Sequence, residues 1–376
     1  KYRFNPLDYE MNRGGEGAGE TDNIVELFTS IMQMGGRAGG ARGQGESSDP
    51  FWQLAMQRCM KAAIDLLKLA RQTISVSNIT KVISEAPLGP DHLSNFTVLN
   101  ASEDKEDRDL LKEWAKKSYT IYCLAWAFVN EKSEDDQLAY DVVLNYFLAD
   151  FSRLADNTRT SITEQFYAFA NPFRSGLLAK FFATETSKEV LPEVTFEGKI
   201  IILDFPVKKY LQLGVYAQAI YKRLWQQAVE RRSTTQPNPV FMWLDEAQYF
   251  LNESDMLFQT TARSSRACSV MISQNISNYY ATIGGTHTKE RVDSLLGNLA
   301  TKIFHSNNDY VTNELAANTI GKTFQDQTSF SVGTNDNASF AKALQYQVEP
   351  QEFTLLKGAP LPAGPRRLRG GALEER

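Results

Sequence analysis

The stretch Pro239-Val240-Phe241-Met242-Trp243-Leu244-Asp245-Glu246-Ala247-Gln248 decides how the chain is read. A run of apolar residues stops abruptly at two carboxylates. Such a run predicts a strand buried on both faces, as in a parallel sheet. The acids then stand at the carboxyl end of the strand, where open α/β sheets place their ligands. Nucleotide-hydrolysing proteins use this Walker B arrangement. Its first acid holds Mg²⁺ on the phosphates, and its second orients or deprotonates the attacking water. A core strand followed by an acidic helix start has the same composition, because Asp and Glu favour helix N-termini.

Strands and helices alternate around this stretch. Lys199-Ile200-Ile201-Ile202-Leu203-Asp204-Phe205-Pro206 reads as a second apolar strand ending in an acid. A helix follows it, with Tyr210, Leu213, Ala217, Ile220, Leu224 and Ala228 at helical spacing. Downstream come a helix over about 253–264, a strand over 267–273, a helical stretch, a strand over 300–304 and a helix near 309–320. The alternation predicts an α/β fold, with a parallel sheet covered by helices on both faces.

Upstream the pattern is helical. Ile24, Leu27, Phe28, Ile31 and Met32 recur at helical spacing behind Thr21 or Asp22 as N-cap. Pro50 opens a helix carrying Trp52, Met56, Met60, Ala63, Leu67 and Ala70 on one face. Further helices are expected over about 107–130, 135–155, 158–170 and 173–184. The Met and aromatic positions read as bundle core. Asn5-Pro6-Leu7-Asp8 reads as a turn, and the charged chain start has nothing local to pack on. The Gly-rich segments 12–22 and 35–50 read as mobile loops, and the Gly/Pro/Arg/Ala-rich end as disordered.

Composition narrows the chemistry. At 42% hydrophobic and 23% charged, the 376 residues suit a globular chain of two domains. A net charge of −5 gives no whole-molecule attraction to nucleic acid, so any DNA contact needs local patches or a pore. Lys208-Lys209, Lys222-Arg223 and Arg231-Arg232 are candidate phosphate contacts; a solvated helix face explains them equally. Cys59, Cys123 and Cys268 are scattered, as are His92, His287 and His305. That argues against a disulfide framework, a zinc site or a His-based triad. No stretch approaches the ~20 apolar residues that span a bilayer, and no signal-peptide pattern opens the chain.

Two features follow the acidic pair. The third strand ends in Ser273-Gln274-Asn275, and an amide beside Walker B can sense a γ-phosphate; it can also simply cap the next helix. Thr260-Thr261-Ala262-Arg263-Ser264-Ser265-Arg266 precedes that strand, and an arginine there can reach a neighbour's nucleotide as an arginine finger. A helix end with its favourable dipole accounts for it too. A phosphate-cradling GxxxxGK[ST] loop is missing. Gly14-Gly15-Glu16-Gly17-Ala18-Gly19-Glu20-Thr21 puts Glu20 where the lysine belongs. Ala316-Ala317-Asn318-Thr319-Ile320-Gly321-Lys322-Thr323 ends a helix, and there Gly321 reads as a C-cap.

The runs Leu244 to Phe250, Phe258 to Arg266, Ser273-Gln274-Asn275 and Asn298-Leu299-Ala300-Thr301-Lys302-Ile303-Phe304 resemble the TraG/TraD-type coupling proteins of conjugation and type IV secretion. The opening Phe4-Asn5-Pro6-Leu7 is similar to a segment these proteins carry after their first strands. The resemblance covers about residues 1–10 and 195–350. It implies a RecA-like P-loop NTPase sheet of the FtsK/HerA group, interrupted by an inserted all-α domain.

On that scheme 1–20 is a motor segment and linker, 21–192 the all-α domain, 193–350 the motor domain with Walker B, and 351–376 a disordered tail. It further implies ATP and Mg²⁺ as cofactors and a homo-hexamer on the cytoplasmic face of the bacterial inner membrane. The implied partners are single-stranded DNA, relaxase or relaxosome proteins, and type IV secretion channel components. By matching position, Asp245 is the Mg²⁺ and nucleotide ligand, Glu246 its Walker B partner, Gln274 the nucleotide sensor and Arg263 the finger.

The family carries its membrane helices and Walker A before the Asn-Pro-Leu segment. The chain is therefore expected to be a fragment of a longer ATPase, or a truncated product that binds ATP weakly alone. Alternatives are a catalytically inactive docking module for relaxosome or effector proteins, and a pilus-assembly or DNA-pumping ATPase of the same motor group.

Overall fold

The computed structural model describes residues 2–38, 50–130, 132–182, 185–232, 235, 238–283, 287–331 and 337–357. They form two compact units. The first comprises residues 1–244 and 249–270, the second 245–248 and 271–376.

The first unit opens on α1 (Pro6–Asn12), a helix where a turn was expected. Asn5 is its N-cap, with Oδ1 accepting from the Leu7 amide at 3.1 Å, and Pro6 supplies a preset first-turn φ. The chain start also finds distant partners. Phe4 is buried, its amide donates to the Phe181 carbonyl (2.8 Å), and its ring lies 5.0 Å from that of Tyr221. The Gly-rich segment after α1, expected to be mobile, is tied down by a buried Glu10–Arg13 pair. The Arg13 guanidinium donates onward to the carbonyls of Glu16 (3.1 Å) and Gly17 (2.7 Å). Of the second Gly-rich segment, residues 35–38 are helical and 39–49 lie outside the described residues.

The helical insertion comprises α2 (Thr21–Ala38), α3 (Pro50–Leu69), α4 (Val76–Ser84), α5 (His92–Ala101), α6 (Lys105–Lys117), α7 (Tyr119–Val129), α8 (Glu134–Asn145), α9 (Asp156–Arg174) and α10 (Gly176–Phe182). Helical spacing foretold most of these. The expected single helix over 107–130 breaks at Ser118, which ends α6 in extended backbone and caps α7 by accepting from the Ile121 amide. The helix expected over 135–155 relaxes into a π turn, Tyr146–Asp150, and a 3₁₀ turn, Phe151–Arg153. Phe28, Met60, Phe147, Phe151, Phe166 and Phe173 are fully buried in one continuous core. Each such side chain contributes about 1.5–3 kcal/mol by leaving water. Burial also pushes the Cys59 and Cys123 thiols up to about 12, which makes them packing groups rather than nucleophiles.

The short α11 (Val207–Tyr210) leads into α12 (Gln212–Arg231), whose buried face joins the same core. Only glycine fits at position 214, because a Cβ there would meet the Phe205 carbonyl at 2.8 Å. Then come β1 (Val240–Leu244), α13 (Glu253–Thr261) and β2 (Ala267–Met271). β1 and β2 run parallel: Val240 N donates to Arg266 O (3.1 Å), and further along the same direction Ala247 N donates to Ile272 O (2.9 Å).

Two expectations about this sheet are corrected. Residues 199–206 and 300–304 belong to neither a helix nor a sheet among the described residues. Ile201, Leu203 and Phe205 pack on the core, while Ile200 and Ile202 are 87% and 84% exposed. The alternation of a strand is present without a ladder partner. β1 is likewise covered on one face only, with Val240 and Met242 buried and Phe241 and Trp243 58% and 68% exposed. The chain is nevertheless α/β, with a short parallel sheet and an inserted all-α domain.

The second unit contains α14 (Ile276–Ile283), α15 (Thr288–Asn298), α16 (Tyr310–Ile320), the antiparallel hairpin β3 (Lys322–Ser331) and β4 (Asn337–Tyr346), and α17 (Glu352–Leu355). Gly321 ends α16 at φ +98°, as its C-cap reading required. The hairpin, which the sequence pattern did not reveal, pairs Lys322 with Tyr346 through to Ser331 with Asn337. Its base rests on a small cluster of Ala316, Ala317, Phe353 and Tyr346. α17 falls inside the tail expected to be disordered. Residues 358–376 of that tail lie outside the described residues.

Candidate functional site

β1 delivers Asp245 and Glu246 to its carboxyl end. The backbone turns sharply there: Glu246 has φ +51°, a left-handed conformation that costs a non-glycine residue of order 1–3 kcal/mol. Asp245 supports the turn, with Oδ1 accepting from the Glu246 amide at 3.0 Å. Among the described residues no side chain or amide donates to Asp245 Oδ2, and the residue is exposed.

Glu246 is half-buried and held from both sides. Gln274 Nε2, from the turn after β2, donates to Oε1 at 3.0 Å. Gln248 Nε2 donates to Oε2 at 2.6 Å. Ser273 Oγ in turn donates to Gln248 Oε1 at 2.8 Å. The Gln274 carbonyl accepts from Asn307 Nδ2 at 2.6 Å. Asn275 caps α14, accepting from the Asn278 amide at 2.8 Å. The capping role weighed for Gln274 thus belongs to its neighbour, and the Gln274 side chain is left for Glu246.

The structure brings Asp245, Glu246 and Gln274 together in the second unit. Arg263 lies in the first, exposed on the turn between α13 and β2. That turn is fixed by Arg232. Its guanidinium donates to the carbonyls of Ser265 (2.5 and 3.1 Å) and Arg266 (3.0 Å) and lies 5.2 Å from the Phe196 ring centroid.

Sequence reasoning missed Gln248 and Ser273. Only the fold brings Ser273 to the end of β1, so no spacing pattern could reveal the contact.

The basic clusters are largely committed elsewhere. Lys222 is buried against Asp255 and the Phe250 carbonyl, and Arg223 pairs with Glu26 at 2.8 Å. Burial pulls the Lys222 ammonium below the ordinary lysine range, with Asp255 opposing. Lys222, Arg223 and Arg232 are therefore withdrawn as phosphate contacts. The Gly14–Thr21 loop is not a phosphate cradle either. It turns carbonyls rather than amides toward charge, Gly17 O accepting from Arg13 and Gly19 O from Lys68 (2.8 Å).

Among the described residues no group of three or more His, Cys, Asp or Glu side chains converges to hold a resident metal. A lone exposed aspartate fits Mg²⁺ that arrives with phosphates, since that ion keeps most of its water and needs only one or two carboxylates.

Residues 239–357 match the family model described as the TraM recognition site of TraD and TraG. Over this region the chain is similar to the TraG/TraD-type coupling proteins. The TraG/TraD match spans the acidic pair, Arg263, Gln274 and the β3–β4 hairpin.

Similar solved structures include the bacterial conjugative coupling protein TrwBΔN70 in its unbound monoclinic form, at 10% identity and a TM-score of 0.46. That match covers 94% of this chain and 68% of that one. Another is the trigonal form of the same protein with sulphate, at 10% identity, a TM-score of 0.47 and coverages of 95% and 68%. A third is plasmid coupling protein TrwB in complex with ADP and Mg²⁺, at 10% identity, a TM-score of 0.44 and coverages of 90% and 63%. The likeness to TraG and TraD therefore rests on residues 239–357. No curated protein matches the chain. No helix among the described residues is long and apolar enough to cross a membrane.

Proposed function

We propose that this chain carries part of the ATP-driven motor of a conjugative coupling protein. The observation that supports this best is the carboxylate of Glu246, held between two amides at the carboxyl end of a parallel strand. Asp245, exposed and with an oxygen to spare, would hold Mg²⁺, which when bound neutralises charge on the phosphoryl oxygens. Glu246 orients the attacking water and accepts its proton. Gln274 exchanges Glu246 for the γ-phosphate and so reports nucleotide state. Arg263 reaches a neighbouring subunit's nucleotide in a homo-hexameric ring at the inner membrane. The work done is delivery of relaxosome-bound single-stranded DNA or protein to a type IV secretion channel.

A second reading is a docking module for a relaxosome protein. It is favoured by one observation: the matched region is described as a recognition site for TraM.

The deciding experiment is ATP hydrolysis with and without single-stranded DNA. It uses this chain, the longest open reading frame that contains it, and Glu246→Gln in each. DNA-stimulated turnover that falls by about 100-fold or more in Glu246→Gln supports the motor. Turnover equal in Glu246→Gln and the parent rejects it. Relaxosome-protein binding without any turnover moves the conclusion to docking.

A further inference from the structure

Gln248 has no role in the motif as read, yet it is the buried member of the group around Glu246, at 4% exposure. Its amide is used at both ends. Nε2 donates to Glu246 Oε2 (2.6 Å), and Oε1 accepts from Ser273 Oγ (2.8 Å). The carboxylate determines which way the amide faces, because it can only accept. With Nε2 committed to Glu246, Oε1 accepts from Ser273, whose hydroxyl also lies 3.3 Å from the Asn275 carbonyl.

The two amides on Glu246 are therefore unequal. The Gln274 side chain is exposed, and its bond to Oε1 at 3.0 Å can open into solvent at little cost. The Gln248 amide has no water to turn to, and leaving it unpaired costs the desolvation of a buried polar group.

We propose that Gln248 is a positioning residue that holds Oε2 of Glu246 throughout the cycle, with Ser273 anchoring its far end at Oε1, so that departure of Gln274 frees Oε1 of Glu246 alone for the attacking water. The inference rests on the hydrolytic reading of Glu246 given above. Loss of the fixed arm lets the carboxylate rotate about its side-chain torsions, and misplacement of a base lowers turnover more than it lowers substrate binding.

The test is a kinetic cycle in the longest open reading frame that contains the chain. It uses Gln248→Met, Ser273→Ala and the double variant, with thermal melting as a control for folding. Gln248→Met is expected to lower kcat about tenfold at unchanged KM. Ser273→Ala is expected to lower it about threefold, and to do nothing further in the Gln248→Met background, because it acts through Gln248. A Gln248→Met enzyme with the parent kcat overturns the proposal. Additive losses in the double variant overturn the part played by Ser273.

A second measurement needs no turnover. In ¹H–¹⁵N spectra of the chain itself, the Gln248 side-chain amide should exchange slowly with water. It should quicken in both Glu246→Ala and Ser273→Ala. An amide that already exchanges like an exposed glutamine in the parent overturns the relay, whatever the kinetics. If Glu246→Gln proves harmless to hydrolysis while the amide is protected, the hydrolytic reading has failed and the relay has not.

Discussion

Asp255 and Glu246 both accept from glutamine side chains, and they differ in burial and in their other partners. Asp255, in the first unit, is fully buried. Its oxygens accept from Lys222, from Gln226 Nε2 (2.7 Å) and from the Asn252 amide (2.8 Å). Glu246, in the second unit, accepts from a glutamine Nε2 on each oxygen and stands half-open to solvent. The buried group cannot exchange a partner without stranding a charge, so its network is architecture. It ties α12 to the loop that leaves β1. The open group can trade Gln274 for another ligand, so its network is suited to a cycle. Similar bonds thus serve fixity or exchange according to the water around them.

The sharpest way to break this comparison is Lys222→Met. It leaves Asp255 ionised in the core without its cation, and such a loss costs about 3–5 kcal/mol of stability. Urea unfolding of the chain measures it. A cost no larger than that of a surface substitution would mean water reaches Asp255, and the contrast with Glu246 would disappear. Arg232→Ala tests a case between the extremes, because Arg232 is half-buried and its partners are backbone carbonyls. A cost of about 1.5–3 kcal/mol is expected for hydrogen bonds to a charged group. Glu246→Gln keeps a similar shape in an open site, and its stability should stay within about 0.5 kcal/mol of the parent even as turnover is lost. A large destabilisation by Glu246→Gln would make the acidic pair structural.

How much of this was legible beforehand follows the same division between local and distant. β1 and its two acids were readable because an apolar run and its stop are local features. So were α2, α3 and α12, whose buried faces recur at helical spacing. Segments 199–206 and 300–304 carry equally good strand composition, yet pairing depends on a neighbour that composition does not reveal. The hairpin escaped because its arms are rich in Gln, Thr, Ser and Asn, and what defines it is the register of Lys322 against Tyr346. The buried charge on α12 did leave a trace. Val215, Ala219, Lys222, Gln226 and Val229 share the buried face, and a lysine and a glutamine one turn apart there call for a hidden acid. Its identity, Asp255, could not be read, nor could the contact between Gln248 and Ser273. Each lies across an intervening element.

A third carboxylate gives the smallest effect, and it separates solvent access from hydrogen bonding. Asp309 caps α16 and accepts from the Thr312 amide (3.0 Å), Thr312 Oγ1 (2.7 Å) and Ser277 Oγ (3.0 Å). Burial raises its affinity for a proton, and the bonds from Thr312 and Ser277 outweigh that, so the carboxyl titrates below the ordinary aspartate range. The unfolded chain then binds this proton more readily than the folded one. The stabilisation is complete above the ordinary aspartate value and disappears as the pH falls through the lower, folded one. Asp309→Asn keeps a capping oxygen but removes the charge. It should flatten this contribution to the acid limb of the stability curve, with only a small loss at neutral pH. Urea midpoints recorded from pH 7 down to the acid transition decide the matter. An acid limb unchanged by Asp309→Asn would show that these hydrogen bonds leave the carboxyl no more acidic than in the unfolded chain. Exposure alone would then separate the carboxylates of this protein.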